Sequence, residues 1–482
     1  MKKISNIDVD AALANVRQQL QDDPTVSPSL RAAIELLMLL IQALTGRLNT
    51  NSANSSIPPS RDPNRPRPKK ASARRKPGGQ PGRKGVTLQP VDDPDETRII
   101  KLDRRTLPRG NWHEAGFERR QVIDIRIQRH VTEYCAQILE NEQGQRYVAD
   151  FPSGVTRPAQ YGQSVKAHAV YLSMFQMLPY DRIQSMFADQ YGIPLSAGSL
   201  VNFNRDANER LMPFDGLARQ WLTAEPVLHA DETGLNINGK RHWLHVLSAP
   251  ECTLFGLSTK RGTEAMNAMG VLPSYKGTLI HDHWKPYYTY GCTHALCNAH
   301  HLRELIYAHE EDGQRWAMNV HTLLLELRDA VEQAGGALPT DQARRWRTRY
   351  RTIIGRGNTE CPEPVPDGTA PRRGRPKRSK SRNLLERLRD HEDDVLRFME
   401  DPLVPFTNNQ GERDLRMTKV QQKVSGCFRS TEGAEAFCRI RSYLLTCQKN
   451  EVEPGKALTA VFNGDWPGFL MERFPHLAES AE

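Results

Sequence analysis

Apolar residues recur at helical spacing close to the N-terminus of the chain. Ser27 and Pro28 form a typical helix start, and Gly46 is expected to end the helix. Between them the apolar positions alternate steps of four and three residues, as at the a and d positions of a coiled coil: Leu30, Ile34, Leu37, Ile41 and Leu44. We therefore predict an N-terminal helical segment over residues 1–48. It is either a dimerising helix or an amphipathic helix packed on its own domain.

The apolar pattern disappears over residues 49–95. This stretch is rich in Asn, Ser, Pro, Gly, Lys and Arg, a composition that cannot bury enough apolar surface to offset the entropy of folding. Residues 61–84 carry ten Lys or Arg against one acid, Asp62. We predict a disordered basic arm that binds the DNA backbone, with a solvated linker as the alternative. The candidate DNA-binding residues of the arm are Arg74, Arg75, Lys76, Arg83 and Lys84.

Two patterns follow the arm. Over 96–155, β-branched stretches such as Val122–Ile127 alternate with turn residues, which predicts a small β-rich module. Over 156–225, two helical stretches at 164–191 and 197–211 are separated by Gly, Pro and Ser. The second pattern has the outline of a helix-turn-helix, which either contacts DNA or is ordinary helix packing.

From residue 226 the pattern changes to short strands separated by turns. Four strands are predicted, with a helix at Thr263–Met269 before the last of them: Val227–Asp231, Arg241–Ala249, Thr253–Ser258 and Thr278–Asp282. Three strands, a helix, a fourth strand and a helix much later in the chain are the order of elements in a ribonuclease-H-like fold. We predict that residues 226–295 and 402–450 together form such a catalytic core.

A block of helical patterns separates the two parts of this core. It covers residues 296–401 and contains a Pro-, Gly- and Arg-rich linker at 355–382. Residues 371–382 carry seven Lys or Arg and no acid. Within them, Arg373 and Arg375 lie in an Arg-Gly-Arg-Pro sequence that is similar to the core of an AT-hook, which binds narrow minor grooves of DNA. A solvated linker is the alternative of equal weight.

The whole chain is therefore predicted to be multidomain α+β. A ribonuclease-H-like α/β catalytic domain with an α-helical insertion follows helical and small β-rich N-terminal DNA-binding modules, and residues 451–482 form a C-terminal tail. A length of 482 residues exceeds what one core usually supports. The formal charge of +9 favours a polyanionic partner. Eight scattered cysteines and only short apolar runs indicate a reducing cytosol and predict neither export nor membrane insertion.

Three acids occupy positions from which their carboxylates could converge. Asp231 and Asp282 end the first and fourth predicted strands, and Glu412 lies in a helix that Asn408 or Asn409 could cap. Phosphoryl transfer in DNA needs an activated hydroxyl and a stabilised leaving oxygen, which two divalent ions about 3.5–4 Å apart can supply. We predict that these acids bind two Mg²⁺ (or Mn²⁺) ions. A single acid at a strand end is usually a turn residue, so the prediction rests on the order of the elements.

The predicted helix of Glu412 also carries cations at helical spacing. Arg416, Lys419 and Lys423 follow Glu412 at steps of four, three and four residues, so one helical face could combine metal binding with phosphate contacts. The alternative is a solvated face with salt bridges. Four further residues, Cys292, Cys297, His300 and His301, could hold zinc, but their spacing is unlike familiar zinc sites. We favour a structural role for Cys297 and His300, with zinc binding as the less favoured alternative, and His300 could instead support the site or contact DNA.

Several separated motifs resemble the IS66-type family of insertion-sequence transposases. In chain order they are SSIPPS (55–60), RKPGGQPGRKG (75–85), HADETG (229–234), HDHWKPY (281–287), CNAHHLREL (297–305) and NNQGERDLR (408–416). The resemblance implies a DDE transposase whose acidic triad maps onto Asp231, Asp282 and Glu412. The chain departs from the family pattern at 98–150. Many members have a cysteine-bearing, zinc-finger-like module there, whereas this chain has only Cys135.

The resemblance also implies partners and a location. The partners would be double-stranded DNA at the transposon ends and at the target, further copies of the chain in a homodimer or higher synaptic complex, and small companion proteins of the same element. The location would be the bacterial cytosol, at the nucleoid. Two alternatives stay open: a transposase-derived DNA-binding protein that no longer cleaves, and a metal phosphohydrolase built on the His281–Asp282 pair.

Overall fold

The computed structural model describes residues 3–4, 7–23, 25–55, 62–64, 88–363 and 378–479. Most of the predicted basic arm is not among them. The following candidate DNA-binding residues therefore lie outside the described residues: Arg74, Arg75, Lys76, Arg83, Lys84, Arg373 and Arg375.

The N-terminal segment is a short strand pair followed by two helices. Its elements are β1 (Lys3–Ile4), β2 (Ile7–Asp8), α1 (Val9–Asp22) and α2 (Pro28–Asn49). As predicted, Ser27 caps α2, and its side chain accepts a hydrogen bond from the Leu30 amide. The helix continues through Gly46 to Asn49, so the predicted end at Gly46 is wrong. A single glycine costs a helix only about 1 kcal/mol, which the residues around it can offset.

Helix α2 exposes most of its apolar side chains. Met38 is its one large buried apolar residue, and it packs against Val9, Leu13 and Leu20. The large apolar residues that remain more than two-fifths exposed are Leu30, Leu36, Leu37, Leu39, Leu40, Ile41, Leu44 and Leu48. Among the described helices, α2 alone is long and apolar enough to cross a membrane, and 11% of its most apolar window is buried. This is weak evidence for a membrane, because core helices and signal sequences have similar compositions.

Residues 88–155 contain little regular structure. A 3₁₀ turn at Arg104–Thr106 and one hairpin, β3 (Ile138–Glu140) with β4 (Arg146–Val148), are the elements found there. Val122–Ile127 forms no strand, and Val122 is 93% exposed. The predicted β-rich module at 96–155 is thus reduced to one exposed hairpin, because β-branched residues without a partner strand and a buried face cannot sustain a sheet.

Four helices precede the sheet and share its hydrophobic core. They are α3 (Gln163–Val170), α4 (Tyr180–Tyr191), α5 (Ala197–Arg210) and α6 (Met212–Ala224). The predicted single helix at 164–191 is interrupted by a π-helical turn at Tyr171–Phe175 and by Met177, which has a positive φ of 60° ahead of Pro179. The region 156–225 therefore packs as part of the main body of the protein, and its contact with DNA stays a prediction.

A mixed five-stranded sheet forms the centre of the protein. Its strands and one crossing helix are β5 (Val227–Ile237), β6 (Lys240–Ser248), β7 (Thr253–Ser258), α7 (Thr263–Ala268), β8 (Thr278–His281) and β9 (Thr293–Leu296). The strand order is β7-β6-β5-β8-β9. β5, β6 and β7 are antiparallel, and β8 and β9 run parallel to β5. The predicted succession of three strands, a helix and a fourth strand is confirmed, whereas β9 was not predicted.

A helical block follows β9 and has a hydrophobic core of its own, which also includes Ile280 and Leu296 of the sheet. Its helices are α8 (Asn298–Asp312), α9 (Arg315–Gln333), α10 (Thr340–Glu360), α11 (Lys380–Asp390) and α12 (Glu392–Leu396). The linker predicted at 355–382 is shorter than expected, because α10 reaches Glu360. In addition, Arg382 is 4% exposed and both Arg378 and Arg382 pair with Glu386.

The chain returns to the sheet and ends in a run of helices: α13 (Asn409–Ser425), α14 (Thr431–Lys449), α15 (Pro454–Asn463), α16 (Gly468–Arg473) and α17 (His476–Glu479). The expectation of a C-terminal tail at 451–482 is wrong. Leu458, Phe462 and Leu470 are at most 1% exposed and lie in the same core as the sheet. Their apolar spacing makes α15 and α16 part of the packed body.

Candidate active site

Asp231 lies in the middle of β5. The parallel pairing of β5 with β8 ends at His229, whereas its antiparallel pairing with β6 continues to Ile237. The expectation that Asp231 ends its strand is therefore wrong, because the long hairpin with β6 carries the strand onward. The acid nevertheless lies just beyond the point where β5 and β8 separate, where a side chain can face the space opened between them.

Asp282 directly follows β8, as predicted. Its Oδ1 accepts a hydrogen bond from the Trp284 amide at 3.0 Å. His283, between them, has a positive φ of 72°, a conformation that is uncommon for residues other than glycine. The amide of His283 donates to Nδ1 of the buried His281 at 3.1 Å. A tight turn thus fixes the carboxylate at the carboxyl end of the strand.

Glu412 lies in the first turn of α13, and Asn408 occupies the N-cap position. The Asn408 side chain does not cap the helix. It accepts a hydrogen bond from Nδ1 of His229 (2.8 Å) and donates one to the Ala230 carbonyl (2.8 Å). The residue is 2% exposed. It ties the start of α13 to β5, a role that the sequence did not reveal.

Gly411 allows α13 to approach β5 closely. A Cβ atom at this position would lie 3.3 Å from Oδ1 of Asn408 and 3.6 Å from Cβ of Asp231. A Cβ here would require the Asn408 side chain to move by a few tenths of an ångström, which would disturb its contacts with β5. The glycine therefore helps to bring Glu412 and Asp231 to the same region.

A buried polar network anchors the next turn of α13. Oδ2 of Asp414 accepts hydrogen bonds from Ser248 (2.7 Å), Thr253 (2.8 Å) and Nζ of Lys449 (2.9 Å). The side chains of Asp414 and Lys449 are 7% and 16% exposed. One carboxylate thereby joins α13 to β6, β7 and α14, and it fixes the helix on which Glu412 lies.

The candidate acids influence one another electrostatically. Burial raises the pKa of Asp231 well above its ordinary value, and the charges of Glu232, Asp282 and Glu412 raise it further. Burial also raises the pKa of Glu232, and Asp282 adds to this effect. A buried carboxyl group whose charge is disfavoured by neighbouring carboxylates fits a site for divalent cations.

Glu232 is a fourth acid of this region that sequence reasoning did not select. Its side chain is 1% exposed. It accepts hydrogen bonds from the hydroxyl of Tyr287 at 2.7 Å and from Nε of Arg261 at 2.9 Å. The guanidinium of Arg261 lies over the ring of Trp284, 4.3 Å from its centroid. Glu232 is thus neutralised by protein groups and is a support of the site.

A cation of the helical block lies near enough to Asp282 to interact with its charge. Arg387 of α11 pairs with Glu304, and its Nε has no hydrogen-bond partner among the described residues. Burial lowers its pKa to about 10, while the charge of Asp282 acts in the opposite direction. The helical block therefore contributes a guanidinium close to Asp282, which no local pattern in the sequence indicated.

The four residues weighed for zinc are not brought together. Within the part of the chain that the structure describes, the group of side chains that could bind a metal ion is Cys297, His300 and Glu412. One ligand atom from each lies within 4.8 Å of the other two. His301 is buried and its Nδ1 lies 3.1 Å from Oδ1 of Asn298. Cys292 is in the core beside the sheet. The carboxylate oxygens of the three predicted catalytic acids do not form such a cluster in the described structure.

The cations of α13 divide into two kinds. Arg416 and Lys423 are exposed, as a phosphate contact requires. Nζ of Lys419 donates to the Gly234 carbonyl at 3.3 Å. The amino group of Lys419 is thus bonded to β5 in the structure, and DNA contact by Arg416, Lys419 and Lys423 stays a prediction.

Two family profiles match the chain. One, a family of unknown function (DUF6444), matches residues 3–89. The other, described as Transposase IS66 family, matches residues 158–436 and so spans the sheet, the helical block and all three candidate acids. No curated protein matches the chain. Because the second match covers more than half of the 482 residues, the chain belongs to the IS66 transposase family.

Proposed function

We propose that the protein is a DDE DNA transposase with Asp231, Asp282 and Glu412 as its metal-binding acids. The observation that carries the proposal is the position of the three acids. Asp231 lies on β5 just beyond its pairing with β8, Asp282 directly follows β8, and Glu412 lies in the first turn of α13, which approaches β5 at Gly411. Burial raises the pKa of Asp231, and the charges of Glu232, Asp282 and Glu412 add to this effect. Membership of the IS66 family supports the same assignment.

We further propose that the sheet is a ribonuclease-H-like core with α8–α12 as its insertion. The strand order β7-β6-β5-β8-β9 supports this, with three antiparallel strands followed by two that are parallel to the first. The acids then lie on the first strand, after the fourth and on a helix late in the chain. Acids spread over such distant parts of the sequence converge in this fold and not in a simple meander.

The reaction would be phosphoryl transfer between oxygens of DNA. Water attacks a phosphodiester at the element's end, and the 3′-oxygen leaves with a proton to become a hydroxyl. That hydroxyl then attacks a target phosphodiester in line, and the target's own 3′-oxygen leaves. Mg²⁺ or Mn²⁺ ions bound by the acids would supply activation of the attacking oxygen and charge stabilisation of the leaving one.

The protein's own groups orient the acids and offset negative charge at the site. The Trp284 amide holds Asp282, and Asn408 holds the start of the helix that carries Glu412. Arg387 is placed to offset negative charge near Asp282, and the exposed Arg416 and Lys423 would bind phosphates beside the site. The basic arm would add sequence-independent contacts to duplex DNA.

We also propose that the working unit contains at least two copies of the chain. Joining two transposon ends requires more than one active site, and the exposed apolar face of α2 supports self-association through that helix. Companion proteins of the same element stay an expectation of the family resemblance.

The test is strand cleavage and strand transfer on duplex DNA that carries the element's ends, with Mg²⁺. The variants are Asp231→Asn, Asp282→Asn and Glu412→Gln, and the matched control is Asp189→Asn, an exposed acid on α4. Each triad variant should lose activity by at least about 1,000-fold while binding DNA as the wild type does. The control should retain activity.

Two outcomes would contradict the proposal. If all four variants cleave like the wild type, the triad is misassigned. If the wild type binds the ends and never cleaves, the protein is a transposase-derived DNA-binding protein.

A further inference from the structure

The first turns of α8 and α13 lie next to each other. Cys297 is the N-cap residue of α8, His300 lies in the first turn of the same helix, and Glu412 lies in the first turn of α13. One ligand atom from each (sulfur, nitrogen and oxygen) lies within 4.8 Å of the other two. Cys297 is 1% exposed, so the sulfur side of the cluster faces the protein interior.

Two atoms of this cluster are buried and unsatisfied. Among the residues that the structure describes, Nδ1 of His300 and Oε1 of Glu412 have no hydrogen-bond partner, and the two atoms lie 3.9 Å apart. That separation is too long for a hydrogen bond. Two ligand atoms that lie about 2.0–2.2 Å from one tetrahedral cation are about 3.3–3.6 Å apart, so a shift of about 0.5 Å would bring this pair to metal-binding distance. Buried polar atoms that face one another across such a gap call for a bridging species.

The cluster is held on rigid elements. Sγ of Cys297 lies 3.1 Å from the amide of Asn408, which donates to it. The Asn298 amide donates to the Phe406 carbonyl at 3.1 Å, so the start of α8 is joined to the segment that leads into α13. The ligand atoms can therefore close on a cation through small side-chain rotations, without moving either helix.

The donor set selects the kind of cation. A thiol sulfur and an imidazole suit borderline-soft ions such as Zn²⁺ or Co²⁺, whereas Mg²⁺ prefers oxygen ligands alone. Burial raises the pKa of the Cys297 thiol to about 11. A cation would bind the sulfur as a thiolate, so binding would release the proton of the thiol.

We propose that Cys297, His300 and Glu412 form a three-ligand site for Zn²⁺ or a similar thiophilic divalent cation, with its fourth position open to water. The site shares Glu412 with the acids of the proposed transposase centre, and this part of the inference rests on the proposed function. Zn²⁺ would withdraw Glu412 from the oxygen-ligated ions, so it inhibits Mg²⁺-dependent cleavage, and loss of the thiol relieves the inhibition.

The binding test uses Co²⁺ as a spectroscopic probe of the full-length protein. A thiolate bound to Co²⁺ gives a near-ultraviolet charge-transfer band that Zn²⁺ abolishes by displacement. The wild type should show this band, and Cys297→Ser should lose it. His300→Ala and Glu412→Gln should weaken Co²⁺ binding by at least about 100-fold, since even outer-shell partners of a metal site are worth about 10–100-fold. Cys292→Ser removes another buried cysteine and should leave the band unchanged.

The Co²⁺ absorption band is measured without DNA and does not depend on DNA cleavage. If the protein never cleaves DNA and still shows the band, the metal site stands and the proposed function fails. If the wild type lacks the band, or if Cys297→Ser keeps it, the metal site is overturned whatever the cleavage assay gives. Circular dichroism of each variant verifies folding, and Glu412→Gln tests the site with the thiol intact.

Discussion

At the scale of single residues, the metal-free fold disfavours the charge of Asp231. Burial and three neighbouring acids raise its pKa, so the folded state binds its proton more tightly than the unfolded chain does. The stabilisation that this proton gives is complete below the ordinary pKa of about 3.8 and is lost as the pH rises through the folded-state value. At neutral pH the metal-free protein therefore carries a destabilising charge, which a divalent cation would compensate.

Asp231→Asn should accordingly raise the melting temperature of the metal-free protein at pH 7. Each kcal/mol of relieved repulsion raises the melting temperature by about 2–4 °C in a domain of about 150–250 residues. Thermal unfolding in EDTA between pH 4 and pH 8 measures the effect, and the gain over the wild type should grow with pH. The exposed Asp189→Asn should show no such trend. A gain that is absent or independent of pH would contradict the assignment of a strained carboxylate.

Asn408 is the residue whose loss should disturb the site without removing an acid. Asn408→Ala leaves the buried His229 imidazole and the Ala230 carbonyl without partners, at a cost of about 1–3 kcal/mol for each group. The free energy of unfolding should therefore fall by about 2–6 kcal/mol. DNA cleavage should fall as well, because α13 loses its link to β5. The neighbouring Asn409 is exposed, and Asn409→Ala should change stability by no more than about 0.5 kcal/mol. Equal effects of the two substitutions would refute this role.

At the scale of elements, α13 depends on its buried ion pair. Asp414→Ala leaves the ammonium of Lys449 in the interior without a counter-ion, which should cost about 3–5 kcal/mol. Replacing both partners, by Asp414→Ala with Lys449→Met, should cost less than the sum of the single changes by about 0.5–3 kcal/mol. Denaturant unfolding of the three variants measures this coupling, with the exposed Arg413→Ala as control. Strict additivity would mean that the pair does not hold the helix.

The elements also show what sequence patterns can and cannot predict. Thr253–Ser258 was predicted with the bounds that the structure has, because alternation and turn residues are local signals. The strand with Asp231 was predicted to stop at that acid, yet pairing with β6 carries it to Ile237. The contact of Asn408 with His229 joins residues 179 positions apart. Periodicity contains no information about such a contact, so the acids could be selected from the sequence and their supports could not.

At the scale of the whole molecule, the C-terminal helices belong to the body that carries the sheet. Leu458 of α15 is fully buried, and α15 packs against α3 and α14. Leu458→Ala should therefore cost about 2–5 kcal/mol of stability, and it should do so in the transition that reports on the sheet. Lys456→Ala, two residues earlier and exposed, should cost almost nothing. If thermal unfolding of the two variants is the same, residues 451–482 act as a tail after all.

The net charge of +9 is likewise a property of the whole molecule, and its clustering predicts how the protein binds DNA. Arg378 and Arg382 of the second basic run pair with Glu386, whereas the sequence of the arm at 61–84 carries ten Lys or Arg against one acid. Each phosphate that the arm neutralises should contribute about −0.9 to the slope of log K against log salt. Replacing Arg74, Arg75, Lys76, Arg83 and Lys84 by Ala should therefore make the slope less negative by about 3–5 and weaken binding to all duplex sequences alike.

The matched control removes five exposed cations that each have an acidic neighbour: Arg120, Arg328, Arg345, Arg389 and Lys456. Both variants lose five positive charges, so net charge alone predicts equal slopes. A change confined to the arm variant shows that the arm contacts the phosphates, because counterions are released only where cations meet the DNA. Equal slopes would instead make the arm a linker, and the sequence-independent affinity would then have to come from cations of the folded body, such as Arg416 and Lys423 beside the acids.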